Sequence, residues 1–241
     1  MRIPHKSKLL LALSICTVVF IAGCVDTSVQ SLPTSIDYSS QIKVVNLVSG
    51  AGTATLTLNG QSLGTAEFGG EAPSQAAFLT ITSGSKVLNA SFASATAQNY
   101  QFAATTEYKF RVFLVGTAAV NEMVMIAQRY IWQTPGSVNG NALFPADTGQ
   151  VAFFNGSPDA VLNSVTISGA TDTSTVEFDA PLGLGESTSY MKLKAGSYNF
   201  DVLYNDSLHT TFNYDLSAKG RYTAAIYDAA ASIKNAVFVD D

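Results

Sequence analysis

The chain has 241 residues, of which 47% are hydrophobic and 13% charged. That much apolar material supplies packed cores and excludes intrinsic disorder, and so little charge leaves Ser, Thr, Asn and Gln to build the polar surface. The formal net charge of −5 becomes −8 once residues 1–23, with Arg2, Lys6 and Lys8 and no acid, are set aside, leaving 10 basic against 18 acidic residues; such a chain repels phosphate backbones, which argues against nucleic acid as a partner.

At the start, Arg2, Lys6 and Lys8 precede a continuous apolar run over residues 9–23. The run is too short for a bilayer span, which takes about 20 residues. It has the form of a signal-peptide hydrophobic region. It ends in Ile21-Ala22-Gly23-Cys24, which resembles the lipobox of bacterial lipoproteins: a branched apolar residue, two small ones, then the Cys that is diacylated. The resemblance implies cleavage after residue 23, a lipid on Cys24 and a membrane partner through that anchor. Val25, where an Asp would signal inner-membrane retention, implies the outer membrane if the host has one. The competing reading is an ordinary signal peptide with a chance cysteine. Only two Cys are present and Cys16 lies inside the discarded run, so no intramolecular disulfide is available and the cores must hold by packing. Residues 24–40 are rich in Ser and Thr and read as a tether, able to reach about 50 Å when extended.

Residues 41–133 read as a first β module. Residues 42–47 are an apolar strand. Leu56 and Leu58 then alternate with Thr55 and Thr57, and Asn59-Gly60 is a strong hairpin turn signal. Leu79 and Ile81 share a face, as do Leu88, Ala90 and Phe92. Tyr108, Phe110, Val112 and Leu114 alternate strictly, at the period of a strand. About seven strands are expected and no helix.

Residues 134–149 hold Pro, Gly and Asn and read as the linker. Residues 150–241 then repeat the module. In both, Asn closes the first strand (Asn46, Asn155) and a Gly follows 14 positions later (Gly60, Gly169). Tyr198, Phe200, Val202 and Tyr204 form an alternating stripe, and Tyr214 and Leu216 lead to Tyr222, Ala224 and Ile226. The register between copies drifts from 109 (Asn46 to Asn155) to 114 (Tyr108 to Tyr222), which a few loop insertions explain. The expected fold is all-β: two tandem immunoglobulin-like antiparallel β-sandwiches after a lipoprotein signal peptide. Phe102 and Tyr108, like Leu216 and Tyr222, have the spacing of a tyrosine corner; the alternative is that both Tyr are simply strand aromatics.

Asn155-Gly156-Ser157-Pro158-Asp159-Ala160, an alternating strand ending in Gly169, and the later step Ala195-Gly196-Ser197-Tyr198 together resemble the repeat of a bacterial envelope family. It is numbered four-three-nine-seven among domains of unknown function. The resemblance implies an exported or lipid-anchored tandem β protein. The family has no established activity, so no catalytic residue is carried over. The first module departs from the pattern at Leu47-Val48-Ser49-Gly50 and at Ser83-Gly84-Ser85-Lys86.

Chemistry-bearing residues are sparse. Pro158 and Asp159 suit a turn. Asp159 with Asp172, Glu177 and Asp179 are the oxygens a Ca²⁺ site would need, but no Asp-x-Asp-x-Asp-Gly loop is present and no metal or cofactor is expected. Once His5 is set aside, His209 alone remains; a Ser-His-Asp set would have to use it, and no Gly-x-Ser-x-Gly elbow occurs. Gly183-Leu184-Gly185 lacks the Lys and helix a phosphate cradle needs. Tyr130 and Trp132, at the linker edge, read either as packing between modules or as a stacking platform for a sugar or a partner. The expectation is a non-enzymatic, lipid-anchored envelope protein with a structural or protein-interaction role; the alternative is a glycan-binding surface module on Tyr130 and Trp132.

Overall fold

The computed structural model describes residues 38–74, 77–129, 147–169 and 173–240. Its first half holds β1 (Ser39–Asn46), β2 (Ala54–Leu58), β3 (Gln61–Ala66), β4 (Glu71–Ala72), β5 (Leu79–Thr82), β6 (Gly84–Phe92), β7 (Gln98–Ala104), β8 (Tyr108–Gly116) and β9 (Asn121–Arg129). Its second half holds β10 (Thr148–Gly156), β11 (Leu162–Gly169), β12 (Thr173–Leu182), β13 (Met191–Lys194), β14 (Gly196–Tyr204), β15 (Leu208–Leu216), β16 (Arg221–Tyr227) and β17 (Lys234–Val239). Among the described residues a 3₁₀ turn, Ala230–Ser232, interrupts the strands.

The fold is all-β, and each half is a sandwich. In the first, a sheet ordered β3-β2-β6-β7 faces one ordered β4-β1-β8-β9, with β5 also on β1. In the second, β12-β11-β14-β15 faces β13-β10-β16-β17, so the strand order is the same. One pair in each half runs parallel, β1 with β8 and β10 with β16, and the other pairs run antiparallel. Periodicity reports which face of a strand is buried but not the direction of its neighbour. The alternation read from the sequence fills both interiors. Ile42, Val44, Leu56, Leu88, Phe110 and Val112 pack in the first, and Phe153, Leu162, Val165, Phe200, Val202 and Ile226 in the second.

A third core joins the halves. Val45, Leu47, Phe113, Val115, Phe154, Ala225, Tyr227 and Phe238 are buried together, on the opposite faces of β1, β8, β10, β16 and β17 from the sandwich interiors. Phe113 stacks on Phe154 with ring centroids 4.1 Å apart at 18°. The four sheets therefore stack in four layers, and the two central sheets are covered on both faces. The alternation of Tyr108, Phe110, Val112 and Leu114 marks one buried face of its strand, and Phe113 and Val115, on the other face, are as deeply buried as Val112 and Leu114. Strands covered on both sides read as near-continuous apolar runs, which is why residues 44–48, 112–115 and 151–154 are so apolar. The described residues form one compact unit, Tyr38–Asp241.

The repeated asparagine has a physical explanation. Asn46 is fully buried; its amide donates to the carbonyls of Gly52 (2.8 Å) and Ala66 (3.1 Å), and its side-chain oxygen accepts the Val48 N–H (3.2 Å). Asn155 is also fully buried, donates to Ala160 (2.7 Å) and Leu182 (2.8 Å), and accepts from Ser157 (2.8 Å). Their backbones match too: Gly69 N–H donates to the Asn46 carbonyl and Gly185 N–H to that of Asn155, each at 2.7 Å. Each Asn thus clips the end of a central strand to its following turn, to the far end of the hairpin and to the crossover loop.

The two clip glycines also admit the neighbouring half. A Cβ on Gly69 would lie 2.3 Å from the Tyr227 hydroxyl, and one on Gly185 would lie 2.8 Å from Val124 Cγ2. Gly60 makes a clean control for the first, since it shares φ +80° with Gly69 but has nothing within 4 Å of its Cβ position. Gly60→Ala is expected to cost about 1–2 kcal/mol from left-handed strain alone. Gly69→Ala should lose about 1–3 kcal/mol more through overpacking against Tyr227. Urea denaturation of both variants measures the difference, and equal losses would mean that the halves do not press together at this point in solution.

Candidate functional site

The densest polar constellation lies where the two central sheets meet. Arg111 on β8, one of the largest fully buried side chains, donates from Nε to Asp240 Oδ1 (2.5 Å), from Nη1 to Glu71 Oε2 (2.8 Å) and from Nη2 to the Val239 carbonyl (2.6 Å). Lys43, beside it on β1, donates to the other oxygen of Glu71. Asp240, just past β17, accepts the Thr223 hydroxyl (2.7 Å) and the Tyr190 hydroxyl (3.0 Å) on its second oxygen. Gln128 on β9 donates to the Tyr190 oxygen, and Arg221 Nη1 donates to Gln128 (2.8 Å). The hydrogen bonds thus run unbroken from Lys43 in the first half to Arg221 in the second. The Arg111 guanidinium lies over the Phe78 ring at 5.1 Å and the Phe238 ring at 5.3 Å, and Arg221 lies over Tyr190 at 5.0 Å. Burial, then the Asp240 charge, drives the Tyr190 hydroxyl far above its ordinary pKa, so it stays protonated and donating.

A second contact closes the other end of the junction. Ser49 donates to Asp228 Oδ1 (2.6 Å), and Lys234 pairs with Oδ2 at 3.1 Å. Burial works to raise the Asp228 carboxyl, but bonds from Ser49, the Ala229 N–H and Lys234 outweigh it and hold the group below its ordinary 3.8. Both constellations are locks. The space beside Arg111 and Asp240 is too small for a water molecule.

A sizeable opening lies elsewhere in the second half. A cleft of about 540 Å³ runs between β12 and the segment leading to β13. Val176, Phe178, Leu182 and Met191 give it apolar walls, Ser187, Thr188 and Ser189 line one side, and Glu177, Asp179 and Glu186 supply carboxylates. Its origin is a local departure from the first half. On β3, a single extra residue, Leu63, interrupts the ladder with β2, where Leu56 faces Gly64 and Thr57 faces Ser62. On β12, Ser164 faces Glu177 and Leu162 faces Leu182, so residues 178–181 bow out opposite Asn163 alone.

Three comparisons bear on the chain. No family model matches it, and no curated protein matches it. Among solved structures it is similar to the Bacillus anthracis TIE protein, with TM-score 0.25 and 12% identity, over 80% of this chain and 34% of that one. It is also similar to a leucine-rich repeat protein from Bacteroides thetaiotaomicron, with TM-score 0.22 and 12% identity, over 79% of this chain and 26% of that one. The chain thus spans about a third or less of the length of these structures.

The residues singled out from the sequence fall as follows. Cys24, Tyr130, Trp132 and Asp172 lie outside the described residues. Asp159 accepts the Ala230 N–H (2.7 Å) and the Ser157 hydroxyl (3.3 Å), which ties its turn to the 3₁₀ turn. Glu177 and Asp179 line the cleft, and no group of three metal-binding side chains occurs among the described residues. His209 pairs with Asp201 at 3.0 Å on an exposed sheet face. Tyr222 accepts the Ser217 N–H at 3.0 Å, the bond of a tyrosine corner, whereas Tyr108 stacks on Phe110. Sequence reasoning passed over Lys43, Arg111 and Asp240. The available signal was charge inside apolar strands: a chain with 13% charged residues places Lys43, Lys109 and Arg111 on two paired core strands.

Proposed function

We propose that this is a non-enzymatic, lipid-anchored cell-envelope protein whose two sandwiches act as one rigid body, serving as a spacer and interaction surface. The observation that carries the reading is the third core: with Phe113 stacked on Phe154 and Arg111 locked to Asp240, the halves have no free hinge among the described residues. The run over residues 9–23 and Ile21-Ala22-Gly23-Cys24 support the anchor, and Val25 supports outer-membrane placement where the host has that membrane. The common strand order and the matching bonds of Asn46 and Asn155 support descent of both halves from one duplicated module. The motif from Asn155 to Ala160 supports kinship with the envelope family named above.

The test is mass spectrometry of the protein purified from membranes. A mature chain starting at a diacylated Cys24 is the expected result, and Cys24→Ser should move the protein to the soluble fraction. An unmodified cysteine, or a mature start elsewhere, would overturn the anchor.

A further inference from the structure

We propose that the cleft beside β12 binds an extended, lysine- or arginine-bearing peptide segment of a partner protein, taken up as an added strand. This goes beyond the anchored-spacer reading and holds or fails independently of Cys24.

The cleft sits where the two halves differ. Asn46 and Asn155 are 109 positions apart, but their bonding partners Gly69 and Gly185 are 116 apart, so seven residues have been added between them in the second half. They fall in the β11–β12 hairpin and in the bow at residues 178–181, which lines the opening. Elsewhere the two sandwiches share strand order, clip asparagine and clip glycine, and both are locked at the same junction. Of the bow at residues 178–181, Phe178 packs on the core against Phe153, and the added chain opens a cleft where the other half keeps Leu63 buried.

The walls define the occupant. β12 is the outer strand of its sheet and β13 the outer strand of the facing one. Among the described residues, no backbone other than that of β11 pairs with residues 174–181. An open edge offers a row of main-chain donors and acceptors to an incoming strand, and alternate side chains of that strand meet the flanking pockets. Here the pocket is apolar at Val176, Phe178, Leu182 and Met191. The charge at its rim has one sign: Glu177, Asp179 and Glu186, with no basic side chain in the lining. Glu186 has an internal task, accepting the Gly183 N–H at 2.7 Å, whereas Glu177 and Asp179 have no hydrogen-bond or ion-pair partner among the described residues. Unpaired carboxylates beside an apolar floor and a free edge match a strand that alternates basic and aliphatic residues. The net charge of the chain reinforces the same preference at longer range.

The experiment titrates the purified full chain with a fluorescent heptapeptide alternating lysine with valine, followed by anisotropy. Saturable binding is expected, with none for the peptide alternating glutamate with valine. Joint Glu177→Gln and Asp179→Asn substitution, on the exposed surface and harmless to folding, should weaken binding about tenfold. The fully N-methylated lysine–valine peptide, which keeps the charges but cannot pair with a strand edge, should not bind. The proposal is overturned by absence of binding, by equal affinity for the glutamate peptide, or by an unaltered affinity in the double variant. Equal binding of the N-methylated peptide or of spermidine would also overturn it, since either would mean charge attraction without strand addition.

Discussion

Replacing Arg111 with methionine is expected to destabilise the protein by about 3–5 kcal/mol, because it strands a buried carboxylate. Asp240 is 2% exposed and would keep only the Thr223 and Tyr190 hydroxyls; Glu71 would keep Lys43. Asp240→Leu should cost a similar amount, since it leaves the guanidinium, 1% exposed, facing the Val239 carbonyl and a half-buried Glu71. The two changes together should cost clearly less than the sum of each alone. With both charges gone, no uncompensated ion remains, and methionine and leucine can pack on Phe78 and Phe238. Urea denaturation of the four proteins closes the cycle. Because Arg111 belongs to the first half and Asp240 to the second, the wild type should unfold in one transition seen equally by probes in both halves. A loss below about 1 kcal/mol for either single variant would mean that the pair is solvated in solution and the junction is looser than described.

How much of this was legible in the sequence depends on which physical signal each feature leaves. The sandwich interiors left the plainest one. Leu56 and Leu58, or Phe200 and Val202, alternate with Thr or Asp, and an alternation of period two has one structural meaning. The clip asparagines were visible as a coincidence of spacing, and their role was not, because a single polar residue ending an apolar run is equally a turn former. The junction was hidden by the method of reading. Counting Tyr108, Phe110, Val112 and Leu114 as one face assigns Arg111 and Phe113 to solvent, and nothing local reveals that another sheet covers them. The apolar character of Phe113 and Val115 was the clue: a solvent face would not carry both. The cleft was legible only as drift in the repeat register. That drift counts added residues between landmarks, and it took the ladder of β11 with β12 to place them at residues 178–181.

The buried asparagine of the second half should prove as critical as the junction. Asn155→Leu is expected to cost about 3 kcal/mol or more, since the Ala160 and Leu182 carbonyls and the Ser157 N–H would each lose their partner away from water. Asn155→Asp separates this reading from simple loss of volume. Aspartate has the same shape and still accepts from Ser157, but its second oxygen would face two carbonyl oxygens at under 3 Å with no proton between them. It should therefore destabilise at least as much near neutral pH. Burial beside carbonyls raises the folded-state pKa of the new acid above its unfolded value of about 3.9. A raised folded-state pKa makes the penalty small below the unfolded pKa and progressively larger as pH climbs through the folded one. The gap between Asn155→Asp and wild type in thermal melts should accordingly narrow on acidification, while the gap for Asn155→Leu, which has no proton to gain, should stay flat. Parallel gaps for the two variants across the range would show that the amide hydrogens do not hold the Ala160 turn and the Leu182 strand end. With the clip gone, the turn at Ser157 and the crossover at Gly185 would also lose their shared anchor. Gly185 packs on Val124 of the other half, so the damage should spread across the junction instead of remaining in one sandwich.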